Sequence, residues 1–145
     1  MFSNGVLSAQ LRLQWNPVGS VTLDSSGKVK FPSLPTRPGL YQFRIRGPKG
    51  DLGRYIGETD NLQRRFAHYR NPGPTQPTNL RLNALLREVL ATGGTVEIAI
   101  VTDGVFITRD AVQQTADLTN KNTRRLFENF VLVTDNIHDI LDLNK

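Results

Sequence analysis

The stretch from Gly39 to Tyr69 constrains the fold most. Leu40 to Ile45 alternates apolar and polar residues, the period of a half-buried strand. Gly47-Pro48-Lys49-Gly50-Asp51 is a turn, and Arg54-Tyr55-Ile56-Gly57 reads as the returning strand. Beyond Gly57 the period changes. Leu62, Phe66 and Tyr69 recur at helical spacing, and Thr59 or Asp60 stands where a helix cap belongs. Residues 39–57 are therefore expected to form an antiparallel hairpin that feeds a helix.

The remaining segments fit around that unit. Residues 6–13 alternate like a strand, and residues 21–23 and 28–31 flank Asp24-Ser25-Ser26-Gly27 as a second hairpin. Pro32, Pro35 and Pro38 punctuate an extended linker. A helix is expected over 79–90, capped by Thr78 or Asn79, with Leu82, Leu85, Leu86 and Val89 as its apolar stripe. Val96 to Val101 reads as a central strand. Val105 to Thr108 follows a turn, and the stretch 102–118 resembles an insertion. A third helix over about 120–133 is capped by Asp117 or Thr119, and the tail from Ile137 to Leu143 reads as an edge strand. The expected class is α+β: a small, mainly antiparallel sheet flanked by helices. Residues 1–38 are read as an N-terminal β extension and linker packed on a domain spanning 39–145.

Composition narrows the chemistry. The 145 residues contain no cysteine and two histidines, which excludes disulfides and argues against zinc. No apolar run approaches a membrane span, and the first residues lack the pattern of a secretory signal. An intracellular, cytoplasmic protein with no membrane partner is expected. Net charge is +5, and it is unevenly placed. From Arg37 to Ala91 there are ten Lys/Arg against four Asp/Glu, so this window carries +6 and the rest of the chain −1. A basic middle suits a polyanionic partner, although a solvated basic face has the same composition.

On the helix after Gly57, Asn61, Arg65 and His68 fall within about 60° of one another. They border the Leu62-Phe66-Tyr69 stripe, whereas Arg64 points away. Any one of these residues is commonly structural. The joint order is less ordinary: Gly39-Leu40-Tyr41 on one strand, Tyr55-Ile56-Gly57 on the next, then Asn-Leu-x-x-Arg-x-x-His on a helix.

This order resembles the GIY-YIG nuclease superfamily. Residues 39–41 stand for the first motif half and 55–57 for the second, and residues 57–69 resemble the helix that bears the family's arginine. The resemblance implies a divalent-metal-dependent endonuclease acting on nucleic acid, with DNA favoured over RNA. It implies Tyr41, Tyr55, Arg65, His68 and Glu128 as catalytic residues, with Glu128 also the ligand of Mg2+ or Mn2+. Glu97 is a weaker rival for that carboxylate. Gly57, Asn61 and Asn144 are supporting residues, with Asn136 as an alternative to Asn144. Arg65 would hold the scissile phosphate, which suits a planar guanidinium. Tyr41 or Tyr55 would orient or deprotonate the attacking water, and His68 would accept the phenol's proton or touch phosphate. Arg44, Arg46, Lys49, Arg70, Arg81 and Arg87 are candidates for phosphate contacts. On the residues alone, Glu128 also reads as a surface partner of Arg124 one helical turn earlier. No separate DNA-reading module is evident, so a protein partner is one source of specificity. A non-catalytic nucleic-acid-binding module of the same fold is the alternative function.

Overall fold

A computed structural model describes residues 5–135. The elements run β1 (Gln10–Arg12), β2 (Asn16–Ser20), β3 (Thr22–Leu23), β4 (Val29–Lys30), β5 (Gly39–Gly47), β6 (Gly50–Thr59), α1 (Leu62–Arg70), α2 (Pro77–Ala91), β7 (Thr95–Val101), β8 (Phe106–Arg109), β9 (Val112–Thr115) and α3 (Lys121–Thr134). The main sheet has the order β2-β7-β5-β6, and all its pairs are antiparallel. The architecture is thus the expected α+β arrangement, with the 39–57 hairpin as β5 and β6 and residues 96–101 inside the sheet.

Alternation along β5 divides the core. Tyr41, Phe43 and Ile45 point to one face, where they meet Tyr55 and Ile98 of the sheet, Leu62, Phe66 and Tyr69 of α1, and Leu82, Leu86 and Val89 of α2. Leu40 points to the other face and joins Val101, Val105, Leu118 and Phe127 beneath α3. Side chains at even and odd positions of a strand leave on opposite faces, so one strand serves both cores.

The N-terminal region differs from its reading in two places. Only Gln10–Arg12 of the expected 6–13 strand is a strand, and it pairs with β8 rather than the main sheet. Val6 and Leu7 are exposed, so their alternation had no partner to satisfy. Conversely, Asn16–Ser20 is the edge strand of the main sheet on β7. Its Pro17 and Gly19 read as breakers, yet both are tolerated at an edge, and the register shifts between them. The stretch read as an insertion supplies β8 and β9, which with β1 form a separate three-stranded sheet.

The helix caps also differ. Asn61, not Thr59 or Asp60, caps α1 by accepting from the Arg64 N–H at 2.9 Å. The next N–H groups, of Leu62 and Gln63, donate to the carbonyls of Arg37 and Pro35, so the proline linker docks against the helix start. Pro77 opens α2 ahead of Thr78 and Asn79, and Gln76 caps it without a side-chain bond. Asn120 caps α3 in place of Asp117 or Thr119, accepting from the N–H groups of Asn122 and Thr123. Asp117 instead closes its own turn with Thr119. The expected strand at Ile137 to Leu143 lies outside the described residues.

Candidate active site

Tyr41 and Gly57 are direct cross-strand partners on β5 and β6. A β carbon on Gly57 would lie 2.3 Å from the Tyr41 phenol. The glycine of the second motif half is therefore the space in which the tyrosine of the first half lies. The requirement is close approach and not an unusual φ, because Gly57 is absent from the residues with positive φ. It sits within β6 and not between strand and helix.

The Tyr41 ring is 1% exposed, inside a cluster of aromatic rings from Phe43, Phe66 and Tyr69 whose centroids lie 5.2 to 6.0 Å away. Its hydroxyl shares a hydrogen bond of 2.5 Å with that of Tyr69. Tyr55, whose ring centroid lies 6.4 Å from that of Tyr41, and Arg65 are the neighbours that act electrostatically on these hydroxyls. Three phenols and one guanidinium thus form a single cluster. Sequence reasoning assigned Tyr69 to the core stripe. It belongs there by burial, and its hydroxyl nevertheless bonds to that of Tyr41. The signal that would have found it is its position one helical turn after Arg65 on the same side.

Electrostatics follow from burial. Desolvation pushes the Tyr41 phenol well above the ordinary tyrosine value, Tyr55 adds to that, and Arg65 opposes it. Tyr55 and Tyr69 are raised for the same first reason. Burial works against the charge on Arg65, but the phenol oxygens of Tyr41, Tyr69 and Tyr55 outweigh it and its pKa is raised. All three phenols are accordingly neutral hydrogen-bonding groups around a fixed cation.

Glu128 approaches from α3. It is half-buried, and burial first, then the neighbouring Glu58 carboxylate, raises its pKa, while Arg125 and Arg65 pull the other way. Glu128 does not pair with Arg124. Arg124 is 5% exposed and donates instead to Glu58 Oε2 at 2.6 Å and to the carbonyls of Leu118 and Thr119. This buried ion pair locks α3 onto β6. Phe127 and Val131 are buried with Arg124, whereas the apolar Leu126 and Val133 are 45% and 78% exposed. Arg124 was read only as a surface partner of Glu128 and Glu58 was not singled out, because their meeting depends on how α3 crosses β6.

The structure thus brings Tyr41, Tyr55, Arg65 and Glu128 together, with Tyr69 added. His68 is exposed on α1, three residues after Arg65. Glu97 lies elsewhere on the sheet and pairs with Arg46 at 3.6 Å. Asn61 acts as the α1 cap. Asn136 and Asn144 lie outside the described residues. Among the described residues no three His, Cys, Asp or Glu side chains gather as a metal cage. A single oxygen ligand beside a fixed cation still fits Mg2+, which keeps most of its waters and takes the rest of its ligands from phosphate.

The paired strands carrying Gly-Leu-Tyr and Tyr-Ile-Gly, followed by the helix that bears Arg65, keep in three dimensions the order through which the sequence resembles the GIY-YIG nucleases. Over 95 residues the chain is 36% identical to UvrABC system protein C of Chlorobium phaeobacteroides, a match spanning 62% of this chain and 14% of that protein. It superposes on a mutant of bacteriophage T4 EndoII with a TM-score of 0.56 and 24% identity, covering 83% of this chain and 88% of the other. No protein-family profile matches the chain. Among the described residues no helix is long and apolar enough to cross a membrane.

Proposed function

We propose that the domain is a divalent-metal-dependent endonuclease that hydrolyses phosphodiester bonds in DNA. The carrying observation is the convergence of Arg65, three neighbouring phenols and the Glu128 carboxylate on one site. Likeness to UvrABC system protein C and to EndoII supports the reading, although the chain spans only 14% of the former.

Arg65 binds the scissile phosphate. Its guanidinium makes no ion pair among the described residues, so its charge is available. Tyr55 is the phenol that reaches the attacking water. It is 8% exposed, whereas Tyr41 and Tyr69 are sealed at 1% and 0%. Tyr69 and Tyr41 are hydrogen-bonded through their hydroxyls, so a change at one is passed to the other. Neutral phenols orient the water, and the positive charge of Arg65 favours any loss of a phenolic proton. Glu128 would hold Mg2+ or Mn2+, which supplies charge neutralisation at phosphate and acidifies bound water.

The test is cleavage of supercoiled plasmid, single-stranded DNA and RNA with Mg2+, Mn2+ or EDTA. Metal-dependent cutting that disappears in Arg65→Ala and in Glu128→Ala, with both variants folded, is the expected result. Retained cutting in either variant removes that residue from the mechanism. The buried, neutral state of the phenols gives the non-catalytic binding module its own support. Salt-sensitive binding with no cutting of any substrate would establish that module instead.

A further inference from the structure

Positive charge also collects where the β3–β4 turn, the end of α1 and the middle of α2 meet. Lys28, Arg70, Asn71, Asn83 and Arg87 line an open cleft of about 410 Å³ there, and no carboxylate lines it. Its floor is rigid. The buried Asn83 amide donates to the carbonyls of Tyr69 and Arg70 at 2.7 and 3.3 Å, which ties α2 to the end of α1. Arg70 donates to the Val29 carbonyl and to Asp24 Oδ2 at 2.8 Å, which ties α1 to the β3–β4 hairpin and compensates the Arg70 charge.

Lys28 and Arg87 are different. Neither makes an ion pair among the described residues, and Lys28 Nζ donates only to the Asn71 amide oxygen, at 3.3 Å. The cleft therefore holds two uncompensated cations on a fixed backbone. The basic residues of the opposite sheet face are compensated: Arg44 and Arg46 face Asp51, Arg46 also faces Glu97, and Arg54 faces Asp135. Uncompensated convergent cations are the feature that phosphate recognition requires. Arg65 and Arg70 stand on the same helix, about 7.5 Å apart along its axis and about 140° apart around it, so the cleft and the proposed scissile position lie on different sides of α1.

We infer that the cleft between Lys28 and Arg87 grips a backbone phosphate of the nucleic acid, at a point removed from the bond that is cut. This inference rests on the proposed nucleic-acid substrate. Lys28 supplies three rotatable donors and Arg87 a planar fork, and neither reads a base, so the contact adds affinity and register without sequence preference.

Binding of labelled duplex and single-stranded DNA is measured by fluorescence anisotropy in EDTA across a salt series, for the full chain and for Lys28→Gln/Arg87→Gln. Both side chains are exposed. The double variant is expected to bind about tenfold or more weakly at physiological salt. The slope of log affinity against log salt should fall by about 1 to 2, to the same extent on unrelated sequences. Arg12→Gln/Arg109→Gln makes the same change of charge on the separate three-stranded sheet and is expected to leave the slope nearly unchanged. Equal losses in the two double variants, or none in the first, overturn the inference. Wild type that binds in this pattern but never cuts keeps the cleft and removes the nuclease. Wild type that binds neither DNA removes the cleft as well.

Discussion

Tyr41, Gly57 and Tyr69 show how closely packing and chemistry are joined at single residues. Gly57→Ala would drive a methyl group into the Tyr41 ring, against which a β carbon would lie at 2.3 Å. Overpacking of this kind costs about 1–3 kcal/mol. Thermal unfolding should register that loss, and cleavage should fall further than stability because the displaced ring belongs to the phenol network. The same network ranks the tyrosines. Tyr55→Phe removes the hydroxyl nearest solvent and should lower kcat by about 10²-fold or more. Tyr41→Phe removes a sealed hydroxyl and should lower kcat less while costing about 1 kcal/mol in denaturant titrations. Equal kcat losses would leave no reason to place Tyr55 at the water. Tyr41, Tyr55 and Gly57 were picked out by their joint order and its resemblance to a known family. Tyr69 was read only as core, because a helical wheel gives burial but not the partner of a buried hydroxyl. A border position such as that of His68 does not say on which side of the border the neighbouring elements will close.

Among the elements, α3 depends most on a contact that no local pattern announces. Its apolar residues span a wide arc, and the wheel alone allows several orientations. The Arg124–Glu58 pair selects one, exposing Leu126 and Val133 and turning Glu128 toward Arg65. Arg124→Met would leave the Glu58 carboxylate partly buried, unpaired and beside Glu128. The expected cost is about 3 kcal/mol or more in urea unfolding. Glu58→Gln, which keeps an acceptor for the guanidinium, should cost clearly less. The β3–β4 hairpin has a similar lock with a measurable pH signature. The Ser26 hydroxyl and then the Arg70 guanidinium hold the Asp24 carboxyl well below its ordinary range. A depressed carboxylate stabilises the fold above its unfolded pKa and loses that effect as the pH falls toward its folded value. Asp24→Asn should therefore melt below wild type near neutral pH, and the gap should close as the pH drops below about 4. A gap that stays constant with pH would assign the effect to packing.

At the scale of the whole molecule, the hairpin, the helices and the interior strand were readable because each carries its own period. The edge strand β2 was not, because Asn16-Pro17-Val18-Gly19-Ser20 has no strand-like pattern and takes its conformation from β7. The N-terminal segment also contributes Val21, Val29 and Leu34 to the principal core. A chain beginning at Gly39 keeps every catalytic candidate but loses an edge strand and three buried side chains. It should fail to fold, as judged by loss of cooperative melting in circular dichroism. Cooperative melting of that truncated chain would instead make residues before Gly39 a dispensable attachment.

The pairings of β1 and β2 also set the order of assembly. Gln10 lies against Thr108 and Asn16 against Ile100, whereas the β5–β6 hairpin closes locally. Contacts so distant along the chain close large loops before they repay the entropy, which slows the search for the native topology. The hairpin that bears both motif halves can therefore form early, while the first strands of the chain wait for nearly the last. A ribosome emits β1 and β2 long before their partners exist, so these two strands stay unmatched β edges until residues 95–109 have been made.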